Sequence, residues 1–322
     1  MLRAGVIGCG RIGSEFDEDP KRDYVASHST AYVKNMNTKL VAVCDIDKKK
    51  ADKCAERCIV DNVYTDYKEM LKKEKLDIIS VCTPVNTHPE IVEFAAKYVK
   101  GIYCEKPIAL TLKQARKMID VCKKNNVILQ INHQRRFDKL YDTVRDCIDI
   151  GEIKTVTFYY NRGIYNTGSH MFDLLNWFFG KPIWVSAFGE EPSGIIKYND
   201  IMCNVIYCDV DYPIFEMDII GTKGRIQLIN GGTDINYYKV VQSKQHSENK
   251  ELKEYVFPYI KLISNSYKKA LEHGVEHLIL CGEKNKETLS SGEDGYESLL
   301  LIQAFLDSAI KKERVYLEEY HE

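Results

Sequence analysis

The sequence predicts an α/β fold class in two parts. Residues 1–132 read as a doubly wound parallel sheet, and residues 133–322 as an α+β half with a mostly antiparallel sheet. Three observations carry this. The first 132 residues alternate short apolar runs with longer amphipathic ones, a pattern that gives a parallel sheet with helices on both faces. Between residues 183 and 241 the chain turns β-rich, with polar and apolar residues alternating. A length of 322 residues fits two domains rather than one or four.

Leu2–Ile7 reads as the first strand. Residues 40–44, 78–82, 102–104 and 127–131 follow as strands, with helical patterns between them over Lys48–Cys58, residues 89–99 and Leu112–Lys124. After Asn132 the pattern predicts a helix over 137–150, a strand over 156–162 and a helix over 171–179. Phe215, Met217 and Ile219 alternate with Glu216 and Asp218, so one sheet face is polar. The stretches from Gly221 to Gly224 and from Asn230 to Gly232 are turn signals between such strands. Residues 264–280 and 296–310 are helical in pattern. The most polar stretch, 242–253, reads as an exposed loop or hairpin tip.

Composition narrows the function. Hydrophobic residues make up 44% of the chain, and 45 basic against 47 acidic residues leave a net charge of −2. That balance gives no reason to expect nucleic acid or an anionic membrane surface as a partner. No apolar run approaches the roughly 18–20 residues of a membrane span, and no signal-peptide pattern precedes the first strand. The eleven cysteines are scattered without a Cys-x-x-Cys pair, as expected of reduced core thiols in a cytoplasmic protein. His273, His277 and Cys281 share one helix face at ligand-like spacing. They lack a convincing fourth ligand, so the expectation is a structural face and no metal.

Three motifs carry chemistry. Gly8-Cys9-Gly10-Arg11-Ile12-Gly13 ends the first strand and is expected to open the first helix. Its glycines allow the turn, the approach of a pyrophosphate and close helix–strand packing, and the helix N-terminus offers N–H groups to phosphates. Asp45 ends the second strand, where a carboxylate can bond an adenosine ribose and repel a 2′-phosphate, so NAD is expected rather than NADP. A helix-capping role for Asp45 or its neighbour Asp47 fits as well. Asp45 stands 32 residues beyond Gly13, where about 20 is usual, which points to an insertion over 14–27. Thr83 and Pro84, at the end of another strand, fall near the nicotinamide end of such a cofactor. His88 shares that neighbourhood or is an ordinary helix-entry residue.

Glu105-Lys106-Pro107 is the second motif. Proline stops the strand, and the lysine then faces the crevice where open α/β sheets bind ligands. The third motif is Asn166-Thr167-Gly168-Ser169-His170, with Asp173 one turn on. Thr167 or Asn166 can cap the helix, leaving His170 in its first turn, where the helix dipole favours a neutral imidazole base. Asp173 can orient that ring, and Tyr165 is the next candidate base. Arg162 can hold a carboxylate or phosphate, or form a surface ion pair.

Taken together these residues resemble the Gfo/Idh/MocA oxidoreductases. The likeness rests on Gly8 to Gly13, Asp45, Glu105-Lys106-Pro107, the run from Gly168 through His170 to Asp173, Gly221 to Gly224, and Ser291 to Gly295. It implies an N-terminal Rossmann domain and a C-terminal domain built on a large open sheet. It also implies hydride exchange between NAD and a sugar or polyol carbinol, with Lys106 and His170 at the family's catalytic positions. Glu105 and His88 join the cofactor set, and Arg162, Tyr165, Asn166 and Asp173 the substrate set. Homodimer or homotetramer contact through the sheet follows from the same likeness. Asn166 departs from the aspartate that many members carry there. It resembles members associated with nucleotide-sugar and surface-polysaccharide pathways, so a nucleotide-linked sugar is the expected substrate. A free-sugar or inositol dehydrogenase, and a non-catalytic NAD-binding regulator on the same fold, are the alternatives.

Overall fold

The computed structural model describes residues 1–147, 149–243, 253–263 and 267–320, without the side chains of 146–147, 253–263 and 267. The chain forms two compact units. Met1–Phe137 and Tyr267–Leu299 make the first, and Asp138–Ser266 and Leu300–Glu322 the second.

The first unit runs β1 (Leu2–Ile7), α1 (His28–Lys34), β2 (Thr38–Cys44), α2 (Lys48–Cys58), β3 (Asn62–Tyr64), α3 (Tyr67–Lys73), β4 (Ile78–Val81), α4 (His88–Ala95), β5 (Gly101–Cys104), α5 (Leu112–Lys124) and β6 (Ile128–Ile131). Its six strands are all parallel, in the order β3-β2-β1-β4-β5-β6. Strands β4 and β5 are buried at every position, as a sheet covered on both faces requires. The chain leaves β1 towards β2 on one side and resumes at β4 on the other. This reversal opens a crevice at the strands' carboxyl ends. The short edge strand β3 carries no sequence signal because its three residues are only half-buried.

The glycine motif does not open α1 directly, contrary to expectation. Ser14 N–H and Phe16 N–H bond the carbonyls of Gly10 and Arg11, closing about one helical turn, and the chain then leaves on the inserted stretch. Helix α1 begins only at His28. The N–H groups of His28 and Ser29 reach back to the carbonyls of Ile12 and Gly13, both at 3.0 Å. The insertion is thus spliced into the helix after its first turn. It closes on Asp17, whose carboxylate accepts from Ala26 N–H (2.7 Å) and Ser27 Oγ–H.

In the second unit α6 (Lys139–Asp142), β7 (Ile153–Tyr160) and α7 (Ser169–Phe179) precede a run of strands: β8 (Trp184–Phe188), β9 (Ser193–Tyr198), β10 (Ile201–Tyr207), β11 (Phe215–Gly221), β12 (Gly224–Ile229), β13 (Asp234–Gln242) and β14 (Lys253–Ile263), with β15 (Val315–Tyr316) near the chain end. The sheet order is β14-β13-β12-β11-β7-β10-β9-β8-β15. Only β7 and β10 pair in parallel, and the other pairs are antiparallel. Strands β9, β11 and β12 alternate buried and half-buried residues, the signature of a sheet covered on one face. Both turn signals join hairpins, β11 to β12 and β12 to β13. The polar stretch 242–253 lies largely outside the described residues. The helix expected over 137–150 breaks into α6 and a wider turn over Thr143–Cys147.

Helix α8 (Ala270–Lys284) returns to the first unit, and α9 (Gly292–Lys311) starts there. Leu271, Val275, Leu278 and Ile279 of α8 join Ala4, Val6, Ile78 and Tyr103 in one apolar core. Gln130 Nε2–H bonds the Gly274 carbonyl at 2.8 Å. A Cβ on Gly274 would stand 2.1 Å from the Tyr103 hydroxyl, so glycine permits this close approach. The cut after Asn132 read from the sequence leaves this returning segment out of the first unit.

Candidate active site

A cleft of about 730 Å³ opens at the carboxyl ends of β1, β2 and β4. Gly8, Gly10, Arg11 and Ile12 line it from the glycine loop, Asp45, Ile46, Asp47 and Lys50 from the end of β2, and Thr83 and Pro84 from the end of β4. Each glycine has a distinct geometry. Gly8 sits at φ +94°, and a Cβ there would lie 2.7 Å from the Cys82 carbonyl carbon. A Cβ on Gly13 would fall 1.9 Å from the Gly8 carbonyl oxygen, so this glycine packs the loop and does not line the cleft. A Cβ on Gly10 meets nothing within 4 Å, and space is open where a pyrophosphate approaches the backbone.

Asp45 is tied to that loop. Its Oδ2 accepts from Cys9 N–H (2.7 Å) and its Oδ1 from Asp47 N–H (2.9 Å). Helix α2 is capped by Asp47, whose side chain accepts from Lys49 N–H. The two roles weighed for these aspartates therefore separate, and Asp45 stands at the cleft wall.

Glu105 and His88 do not line the cleft, contrary to their expected place in the cofactor set. Glu105 is 8% exposed. Its carboxylate accepts from His28 Nε2–H (3.0 Å), Asn132 Nδ2–H (2.5 Å) and the Lys106 backbone N–H (3.3 Å). Burial pushes this carboxyl up, but the His28 and Asn132 hydrogen bonds and the charges nearby hold it below its usual value. His88, the first residue of α4, is 1% exposed. Its Nε2 lies 2.9 Å from the Thr83 carbonyl oxygen, and its Nδ1 lies 3.2 Å from that of Pro107. It braces two loops, and burial lowers its pKa. Sequence reasoning missed His28, Ser80 and Asn132. No local signal marks them, because their partners lie tens of residues away.

Lys106 is half-buried on the loop after β5 and lies outside the lining of this cleft. Burial lowers its ammonium to about 8, with Glu105 opposing the fall and Arg135 adding to it.

In the second unit a wider turn over Ile164–Gly168 leads into α7, and the helix N-cap is Gly168 without a side-chain cap. Neither Thr167 nor Asn166 caps the helix, although both were expected to be able to. Instead Ser169 Oγ–H bonds the Asn166 carbonyl at 2.8 Å. His170, the second residue of α7, is half-buried, and Asn166 is exposed. Asp173 is 1% exposed, too buried to touch a substrate directly. Tyr165 is exposed. Partial burial raises its phenol pKa and Asp307 adds to the rise, so the phenol is a poor base near neutrality. Arg162 is exposed at φ +62° and makes no ion pair among the described residues.

Among the described residues no group of three His, Cys, Asp or Glu side chains could hold a metal ion. His273 Nδ1–H bonds the Phe137 carbonyl (3.0 Å), and the His277 ring packs against Phe137. No described helix is long and apolar enough to cross a membrane.

Comparison with known proteins agrees with this geometry. A family model described as "Oxidoreductase family, NAD-binding Rossmann fold" matches residues 2–133, and its companion, "Oxidoreductase family, C-terminal alpha/beta domain", matches residues 163–317. The chain belongs to the Gfo/Idh/MocA oxidoreductase family. It is similar to the myo-inositol 2-dehydrogenase of Thermotoga maritima, with 26% identity over 99% of each chain. Two solved structures share the fold. One is the scyllo-inositol dehydrogenase of Lactobacillus casei with bound NAD(H) and scyllo-inositol, at a TM-score of 0.76 and 19% identity over 99% of each chain. The other is the WlbA dehydrogenase of Bordetella pertussis with NADH and UDP-GlcNAcA, at a TM-score of 0.77 and 19% identity over 98% of each chain.

As a Gfo/Idh/MocA member the chain is an NAD-binding dehydrogenase, and its cleft fits that cofactor. Space opens over Gly10, and the Asp45 carboxylate lines the cleft at the end of β2. Asp45 and Asp47 put two acids in the cleft lining at the end of β2, beside the cations Lys50 and Arg11, and a carboxylate there repels a 2′-phosphate. NAD should therefore bind more tightly than NADP when both are titrated by calorimetry. Asp45→Ala should narrow the ratio, since a hydrogen bond to a charged group contributes about 1.5–3 kcal/mol. Affinity for both cofactors should also drop, because Cys9 N–H loses its acceptor. Tighter binding of NADP by the unaltered chain would contradict this reading.

Proposed function

We propose that the chain oxidises a ring carbinol of a cyclitol or free sugar with NAD, using Lys106 to stabilise the reacting oxygen and His170 to take its proton. The observation that carries the reading is Lys106. It is a half-buried ammonium on the strand-end loop Glu105-Lys106-Pro107, and burial lowers its pKa to about 8. A cation in such a setting donates strongly to a developing alkoxide. The cofactor would be held by Gly8, Gly10, Arg11, Ile12, Asp45, Thr83 and Pro84, and when bound it supplies a hydride acceptor. His170, in the first turn of α7, would remain a neutral base because the helix N-terminus disfavours imidazolium. Asp173, one turn on and buried, would fix the ring. Full-length relatives named as inositol dehydrogenases support a cyclitol or free sugar.

A second reading, a nucleotide-linked sugar, is favoured by two features of the loop before α7. Asn166 replaces the aspartate of many family members, and it can bond a hydroxyl without taking up a proton. Arg162 is exposed without an ion pair among the described residues, which suits a substrate phosphate or carboxylate.

A panel of myo-inositol, scyllo-inositol, free hexoses and UDP-linked sugars, with NAD reduction followed by absorbance, separates the two readings. Turnover of the first three classes alone supports the first, and turnover of UDP-sugars alone the second. Reaching neither, with NAD and sugar still bound, would favour a non-catalytic regulator. On the active substrate, Lys106→Met should keep NAD affinity and lose turnover. The wild-type kcat/KM for oxidation should fall above about pH 8, because a lysine of lowered pKa is charged below that value and neutral above it.

His170 sets the acidic limb. The oxidation rate should rise with pH through one ionisation near the ordinary histidine range of about 6–7. His170→Ala should cost at least roughly 10²-fold, the usual scale of general-base removal. Asn166→Asp adds a carboxylate one turn before the ring and should move that limb upward. Near-normal rates in His170→Ala would show that the base lies elsewhere.

A further inference from the structure

We propose that His28 is a positioning residue for Lys106, holding the Glu105 carboxylate beside the lysine while its own main chain is tied to the glycine loop. This rests on the reading of Lys106 as the residue that stabilises the reacting oxygen, and it concerns a side chain far from Lys106 in sequence. His28 N–H bonds the Ile12 carbonyl at 3.0 Å. Its ring, 0% exposed, reaches Glu105 Oε1 at 3.0 Å and Ser80 Oγ at 2.8 Å. One residue thus joins the phosphate loop, β4 and the lysine loop.

The hydrogen bonds around Glu105 follow from its ionised state, since its pKa is held below the usual carboxyl value. An ionised carboxylate is acceptor-only, so the Nε2 facing Glu105 carries the proton. The His28 Nδ1 lies 2.8 Å from Ser80 Oγ, and Ser80 Oγ–H donates to the Tyr32 hydroxyl at 2.8 Å. On the far side Tyr103 O–H donates to Asn132 Oδ1 (2.7 Å), which turns Asn132 Nδ2–H towards Glu105. Every named link is satisfied when Glu105 is charged.

That arrangement bears on Lys106. Three influences on its charge are identified: burial and Arg135, which lower its pKa, and Glu105, which raises it. The other ionisable groups around Glu105 are His88, Tyr103, Cys82 and Cys104. Burial lowers His88 and raises the other three, leaving all four neutral near pH 7. Glu105 is then an anion that raises the Lys106 pKa and so helps to keep it cationic. His28 and Asn132 are the side chains that keep Glu105 ionised inside the protein.

The test reads Lys106 directly rather than through turnover. The full chain with NAD is reductively methylated with 13C-formaldehyde, and the Lys106 signal, assigned by its loss in Lys106→Arg, is titrated by NMR. Glu105→Gln keeps an acceptor for His28 but removes the charge, and should lower the Lys106 ionisation by about one unit or more. His28→Leu should shift it the same way by less, and His28→Gln, with an amide in place of Nε2, should restore it. Thermal unfolding checks that each variant folds, and where His28→Leu does not, Glu105→Gln decides. Folded Glu105→Gln or His28→Leu with a Lys106 ionisation within about 0.3 unit of wild type overturns the proposal. An active Lys106→Met would instead sink the catalytic reading of Lys106 and leave the titration result standing.

Discussion

The buried carboxylate of Glu105 is the constraint on which the first unit's functional edge depends. An ionised carboxylate in a protein interior is costly unless hydrogen-bonded and paired. Here it is met by His28 from α1, Asn132 from the end of β6 and the backbone of Lys106. Each partner belongs to a different element, so these elements must arrive in register before the charge is satisfied. The requirement fixes where β5 ends and where the lysine loop begins. His28 carries the same constraint into the glycine loop through the Ile12 carbonyl.

A second constraint works at the wall of the cleft. Gly8 at φ +94° turns the chain off β1, and the Cys9 N–H so exposed is taken by Asp45 at the end of β2. A carboxylate that lines the cleft also fastens the glycine loop. Loop geometry and the cleft lining therefore share one side chain. His88 is fully buried between the ends of β4 and β5, with its ring nitrogens 2.9 Å from the Thr83 carbonyl oxygen and 3.2 Å from that of Pro107.

The inserted stretch after Ser14 shows how a fold absorbs extra chain. The first helix is cut after one turn, yet the N–H groups of His28 and Ser29 still find the carbonyls of Ile12 and Gly13. The backbone hydrogen-bond ladder resumes across the gap. The geometry at the cleft is thus kept, while the extra residues close on Asp17 outside it. A long spacing between Gly13 and Asp45 is compatible with an intact dinucleotide fold for this reason.

Local pattern was enough to determine much of this protein. Continuous apolar runs marked buried parallel strands, alternation marked the one-sided sheet, and the glycine motif, Asp45 and Glu105-Lys106-Pro107 were legible because each is compact in sequence. Short or half-buried elements such as β3 were not, since neither periodicity nor length marks them. The sequence also could not tell that Glu105 and His88 point inward, that Gly168 rather than Thr167 caps α7, or that α8 returns to cover the first sheet. Those outcomes rest on contacts between residues far apart in the chain. His28 meets Glu105 across 77 positions and Gln130 meets Gly274 across 144. Only the folded chain decides which buried polar group finds which partner, because the cost of leaving one unpaired is set by the whole surrounding core and not by its neighbours in sequence.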